Sequence, residues 1–249
     1  MAGHSKWANI QHRKSAQDAK RARRWTKILK EVMVAARLGG SDPGGNPRLR
    51  AAIQDARTDN VPNDTIERAI LKGTGELEGQ SFEEIVYEGY GPGGVAVLVE
   101  AATDNRNRTA SEIRHIFSRH GGSLGESNCV AWMFDQRGYF AIPRDAMDEE
   151  AVMELALELG VDDLDTEGEE WELYTARDDY GRVREALDAR QVPLSAKELA
   201  MVPSSSVDVS GDHAANAVRL LEALEDHDDV QKVWANLSID ETELAAASA

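Results

Sequence analysis

The chain has 249 residues, 41% of them hydrophobic, with 45 acidic against 28 basic side chains and a net charge of −17. That length predicts two or three domains with real cores. One cysteine, Cys129, excludes an internal disulfide; no Cys/His cluster suggests zinc, and no apolar run reaches the about 18 residues of a membrane helix.

The first element, residues 3–37, is the most informative. It carries Lys6, Arg13, Lys14, Lys20, Arg21, Arg23, Arg24, Lys27, Lys30 and Arg37 against Asp18 and Glu31, a balance of +8 that leaves −25 for the rest of the chain. A basic end on an acidic protein points to a polyanion partner. Trp25, Ile28, Leu29, Val32, Met33 and Ala36 recur at helical spacing and predict one apolar stripe. On that helix Lys20, Arg23, Arg24, Lys27 and Lys30 are expected on the opposite, exposed face as a phosphate-binding ridge. The preceding segment has no apolar period. Its Lys6, Trp7, Asn9, His12, Arg13 and Lys14 combine the cations, amides and aromatics that contact phosphates, sugars and base faces.

Gly39–Asn46 reads as a loop, with Asn46 a helix cap and Pro47 a first helical residue. Leu49, Ala52, Ile53 and Ala56 predict a second helix. Asp64 and Glu67, spaced like a capping box, open a third through Ile66, Ala69 and Ile70, stopped by Gly73. Residues 1–75 are thus expected to form a basic helical domain, followed by a linker at 74–81. The glycines at 73, 75 and 79 suggest a hinge that few contacts cross.

The hydrophobic period then changes. Strands are predicted at 85–89, 95–101 and 129–134, with a helix at 105–119. A second series follows: strands at 139–142, 171–175 and 198–202, helices at 149–159 and 180–189. The chain closes with 206–209, a helix at 213–225 and a strand at 230–237. These counts predict an α+β fold: an N-terminal three-helix domain followed by two ferredoxin-like α/β sandwich domains, one inserted in the other. The outer domain would be 82–134 plus 204–240 and the inserted one 135–203.

Gly121–Gly125 matches GxSxG, but a nucleophile elbow needs a strand before the serine and a helix after it, the reverse of the order here. Gly89–Gly94 joins two strands, so it reads as a hairpin turn and not a dinucleotide loop. Thr103–Thr109 (TDNRNRT) lies at a helix N-terminus, where Arg106 and Arg108 would complete an auxiliary anion site. Residues 143–190 carry 17 acidic side chains against five arginines. They lack a ligand or base cluster and read as a solvated face that avoids nucleic acid.

The strings MAGHSKWANIQHRK, NPRLRAAIQDARTDNVPNDTIERAI, YEGYGPGG, TDNRNRT and GGSLGESNCVAWMF resemble the YebC/PmpR family, which includes the mitochondrial translational activator of cytochrome c oxidase. The likeness runs nearly the full length. It implies a helical N-terminal domain, two ferredoxin-like domains with the third inserted in the second, and no known catalytic activity. Members are assigned as DNA-binding transcriptional regulators. Others are ribosome-associated factors that help translation through proline-rich stretches.

The sequence therefore reads as a non-enzymatic cytoplasmic regulator of gene expression, without cofactor, metal or membrane partner. The lead partner is DNA. The alternative is ribosomal or transfer RNA on the ribosome, and a charge of −17 fits docking on one structured target.

Overall fold

A computed structural model describes residues 18–79 and 81–240, with side chains from residue 23 onward. Lys6, Trp7, Asn9, His12, Arg13 and Lys14 lie outside the described residues, as does the side chain of Lys20. The described chain divides into two compact units, residues 132–206 on one hand and 18–79, 81–131 and 207–240 on the other.

Three helices open the larger unit: α1 (Asp18–Gly39), α2 (Pro47–Thr58) and α3 (Asn63–Thr74). The apolar stripes read from the sequence meet in one core. Val32, Ala35 and Ala36 pack with Leu49, Ala52, Ile53 and Ala56 and with Ile66 and Ala69, while Trp25, Ile28, Leu29, Met33 and Ile70 close its margin. Asn46 caps α2 as expected, its Oδ1 accepting from the Leu49 amide at 3.0 Å. Its Nδ2 donates to the carbonyls of Ala35 and Gly40 at the end of α1, at 2.8 and 2.9 Å.

Two local expectations at α3 fail. The Asp64–Glu67 capping box does not form; Pro62 holds the cap position with no side-chain hydrogen bond. The helix also runs through Gly73, and Gly75 supplies the left-handed cap at φ 80°. Gly73 is glycine because α3 crosses α1 there: a Cβ would stand 2.4 Å from the Met33 carbonyl oxygen.

Beyond the helices, β1 (Glu83–Tyr90) and β2 (Ala96–Thr103) form an antiparallel hairpin across a Pro92–Gly94 turn, as the sequence suggests. Then come α4 (Arg106–Arg119) and the two-residue β3 (Ser123–Leu124), which pairs with the far side of β1. β2 and β3 thus flank β1, a split βαβ arrangement.

The smaller unit comprises β4 (Phe134–Pro143), α5 (Glu149–Leu159), β5 (Asp163–Asp165), β6 (Glu170–Ala176), α6 (Tyr180–Ala189) and β7 (Ala196–Pro203). Its sheet has the order β5-β6-β4-β7 with every neighbouring pair antiparallel, the ferredoxin-like order. Phe140, Ile142, Val152, Leu155, Trp171, Leu173, Val183 and Leu187 fill the core between sheet and helices. The chain then returns through β8 (Val207–Asp208), α7 (Gly211–Glu225), β9 (Val230–Ala235) and β10 (Leu237–Ser238). β9 joins β2 to give the sheet order β3-β1-β2-β9, and β10 pairs with β8 in parallel. The α+β fold class is that read from the sequence.

The strand expected at 129–134 is not formed. Glu88 explains why: its carboxylate accepts from the amides of Asn128, Val130 and Ala131 at 2.7, 2.9 and 2.8 Å, so those amides have no ladder to join. Burial alone would raise the Glu88 carboxyl, but the three donors outweigh it and hold it below its ordinary value. Glu88→Gln puts an NH2 group against donor amides, and we expect it to cost about 2–3 kcal/mol at neutral pH. A carboxyl depressed in the folded state stabilises fully above its unfolded value near about 4.3 and progressively less as pH falls through the folded value. The difference in urea midpoint between wild type and variant should therefore shrink on acidification; a gap constant with pH would refute this role.

Candidate nucleic-acid interface

The cationic face of α1 is exposed at Arg23 and Arg24, as its sequence suggests, but Lys27 is half-buried and Lys30 buried. Arg23, Lys27, Lys30, Val34 and Arg37 follow one another at alternating spacings of four and three residues, a second stripe beside the apolar one. This stripe lies along the sheet part of its own unit. Arg23 Nη1 meets Asp226 Oδ1 at 3.0 Å, and Lys27 Nζ donates to the Glu225 carbonyl at 2.6 Å. Lys30 Nζ donates to Asp229 Oδ1 and to the Asp228 carbonyl, each at 2.8 Å, and stands 5.0 Å over the Phe82 ring. Val34 is buried, and Arg37 Nη1 donates to the Phe82 carbonyl at 2.7 Å. Lys30, expected in solvent, is buried because Asp229 neutralises it in place.

The other ridge cation that is described, Arg24, pairs with Asp59 just past the end of α2, Nε to Oδ1 2.9 Å. Arg48 adds a clamp of its own: its Nε contacts Glu31 of α1 at 2.7 Å, and its guanidinium also holds Glu84 of β1. The hinge expected between Gly73 and Phe82 is thus crossed by several polar contacts that bind α1 and α2 to the sheet.

Asp229 is the centre of this seam. Its Oδ2 accepts from Arg108 Nη2 at 2.9 Å and from the Thr109 hydroxyl at 2.7 Å, and the Thr103 hydroxyl lies 3.2 Å away. Burial would raise the Asp229 carboxyl; Lys30, Arg108 and Thr109 overcome that and hold it far below the usual carboxylate range. Burial pulls the Lys27 ammonium below its ordinary value, while Glu225 and Asp226 draw it back up.

These contacts also place the TDNRNRT motif. Asn105 is the cap of α4, accepting from the Arg108 amide at 3.2 Å. Arg108 spans Asp104 and Asp229, and Arg106 faces Glu83 at 3.8 Å. The anion held at this helix start is the chain's own Asp229. Glu112, His227 and Asp229 each bring a ligand atom within 4.8 Å of one another. Those donors are spent on protein partners: His227 Nδ1 accepts the Asp229 amide, Nε2 faces Glu112 at 2.9 Å, and both Asp229 oxygens face cations.

Sequence reasoning missed the acidic residues Glu225, Asp226, Asp228 and Asp229. The signal was a dense acidic run at the end of an apolar-striped helix, opposite in sign to the stripe on α1, but the run after α5 (Asp162, Asp163, Asp165) looks the same in sequence. Among the described residues no helix is long and apolar enough to cross a membrane.

A basic helical module fastened by ion pairs to a split-crossover sheet, with a ferredoxin-like unit in the same chain, defines a composite α+β class. The chain belongs to the TACO1/YebC family: the family's N-terminal domain matches residues 5–76, and its second and third domain matches 82–237. A relative from Natranaerobius thermophilus is 54% identical over 97% of this chain and 98% of its own length. One from Carboxydothermus hydrogenoformans is 52% identical over 96% and 99%. Each is named a probable transcriptional regulatory protein. The crystal structure of a conserved hypothetical protein from Aquifex aeolicus superposes with a TM-score of 0.87 at 47% identity, covering 95% of this chain and 98% of that one.

Asp229→Asn leaves Lys30 buried without its carboxylate, and we expect a loss of about 3–5 kcal/mol at neutral pH. Lys30→Met should cost less, because Asp229 keeps Arg108 and Thr109. Denaturant titrations that find the two variants equal would show that Asp229 is not the shared anchor.

Proposed function

We propose that the chain is a regulator of gene expression that binds nucleic acid through its basic N-terminal module and carries out no chemistry of its own. The observation behind this reading is the charge separation, ten basic against two acidic side chains in residues 3–37 of a chain of −17. The names of the relatives support it and favour DNA, as in a transcriptional regulator. In this division of labour residues 1–75 bind. Residues 82–134 with 204–240 hold the binding module in place, and the acidic residues 135–203 stay off the polyanion. Lys6, Trp7, Asn9, His12, Arg13, Lys14, Lys20, Arg23, Arg24 and Lys27 are the contacts, with Arg106 and Arg108 at the second site. Lys30 belongs to the anchor more than to the binding surface.

One observation favours ribosomal or transfer RNA as a second reading. α1 is packed on two faces, and a helix held in this way does not lie along a major groove, the geometry of most duplex-DNA recognition. Phosphate contacts from the start of α1 and from the segment before it suit a structured RNA.

Replacing Lys6, Arg13, Lys14 and Lys20 together by Ala should weaken binding at physiological salt by orders of magnitude. Each lost contact should flatten the slope of log K against log salt by ~0.9 for duplex DNA or ~0.7 for a single strand. Titrations of duplex DNA and of a structured RNA over a salt series measure both. An unchanged slope in a folded variant would refute the module as the binding surface. Sedimentation of lysate treated with DNase or RNase separates the two polymers: co-migration with ribosomes that survives DNase but not RNase selects RNA.

A further inference from the structure

The seam between α1 and the sheet changes character along its length. At its inner end Lys30 and Asp229 leave only 7% of each side chain exposed, and Asp229 is held by two cations and two hydroxyls. At its outer end Arg23 and Asp226 are 53% and 71% exposed and share one contact of 3.0 Å. Lys27 lies between them, half-buried, bonded to a main-chain carbonyl and facing the charges of Glu225, Asp226 and Asp228. An exposed pair of this kind is weak and screened by salt, whereas a buried one is not. The same turn of chain therefore holds α1 firmly at one end and loosely at the other. The loosely held Arg23 and Lys27 are among the cations that the binding reading assigns to phosphate.

We propose that Glu225–Asp229 is a built-in stand-in for a phosphate backbone, and that nucleic acid gains Arg23 and Lys27 by displacing Asp226 and the Glu225 carbonyl while the Lys30–Asp229 pair stays closed. The inference rests on the nucleic-acid reading and adds its regulation. The resting protein is self-neutralised along α1, so short or sparsely charged anions do not open the seam. A dense polyanion does, because it offers several phosphates at once, first to Arg23, whose pair with Asp226 is exposed, and then to Lys27 beside it. Asp226 thereby sets the threshold between incidental anions and the true target.

The test is a double-mutant cycle in the full-length chain, with a duplex DNA and an RNA hairpin as probes. Asp226→Asn should tighten binding several-fold at about 0.1 M salt, where screening is incomplete. It should also steepen the salt slope by a fraction of one cation contact. Arg23→Gln should weaken binding, and adding Asp226→Asn to it should restore only the smaller part that runs through Lys27, so the gain from Asp226→Asn shrinks when Arg23 is absent. Asp212→Asn, at the opposite end of α7, removes the same charge away from the seam and controls for overall charge. A gain from Asp226→Asn that equals the Asp212→Asn gain, or that is undiminished without Arg23, overturns the proposal. Binding by wild type with no gain in Asp226→Asn overturns the proposal alone. Failure of the folded wild type to bind either probe even at low salt overturns the nucleic-acid reading and the proposal with it.

Discussion

A carboxylate taken out of water must be met by cations and donors, or it stays protonated. Asp229 meets that demand from both sides, with Lys30 of α1 on one oxygen and Arg108 and Thr109 of α4 on the other. Three elements far apart in the chain are thereby fixed by one side chain. Such a buried pair contributes little net stability over a well-packed apolar contact, yet it is intolerant of misplacement. Its main effect is on geometry: α1 has one rotation and one axial position at which Arg23, Lys27, Lys30 and Arg37 all find partners.

Fastening by polar groups recurs through this unit. Arg48 reaches Glu31 and Glu84 together, Glu88 gathers three amides, and Asn46 ties two helices. Apolar packing builds the three-helix core, but the contacts that hold those helices to the sheet are largely ionic. A helical module with a small core of its own is stabilised by its attachment. That arrangement reconciles an acidic chain with a strongly basic end, since part of the negative charge is spent on seating the positive.

The apolar stripes of α1, α2 and α3 were legible because burial on one helix face leaves a period of 3.6, and every residue named for them lies in or against the core. The hairpin, the cap at Asn46 and most helices of both sheet units followed from equally local signals. Lys30 was misread for the opposite reason. Its environment is set by Asp229, 199 residues away, and a lysine facing solvent is identical in sequence to one facing a buried carboxylate. The expected strand at 129–134 failed likewise, because an apolar run carries no record of the Glu88 oxygens that claim its amides. The short β3 and β5 have two and three residues, too few to show alternation. The arginines at Thr103–Thr109 were read as an auxiliary site for an outside anion; the carboxylates they meet here, Glu83, Asp104 and Asp229, belong to the chain itself, and their arrival depends on tertiary structure.

Asn46 has a consequence for the cooperativity of the helical module. By donating to the last turn of α1 while accepting from the first turn of α2, it makes the carboxyl end of one helix and the amino end of the next a single hydrogen-bonded unit. Neither end can fray without breaking the other's cap, so the two ends open together or not at all. Amide exchange in the last turn of α1 and in the first turn of α2 should accordingly be slow and matched, because one opening event exposes both.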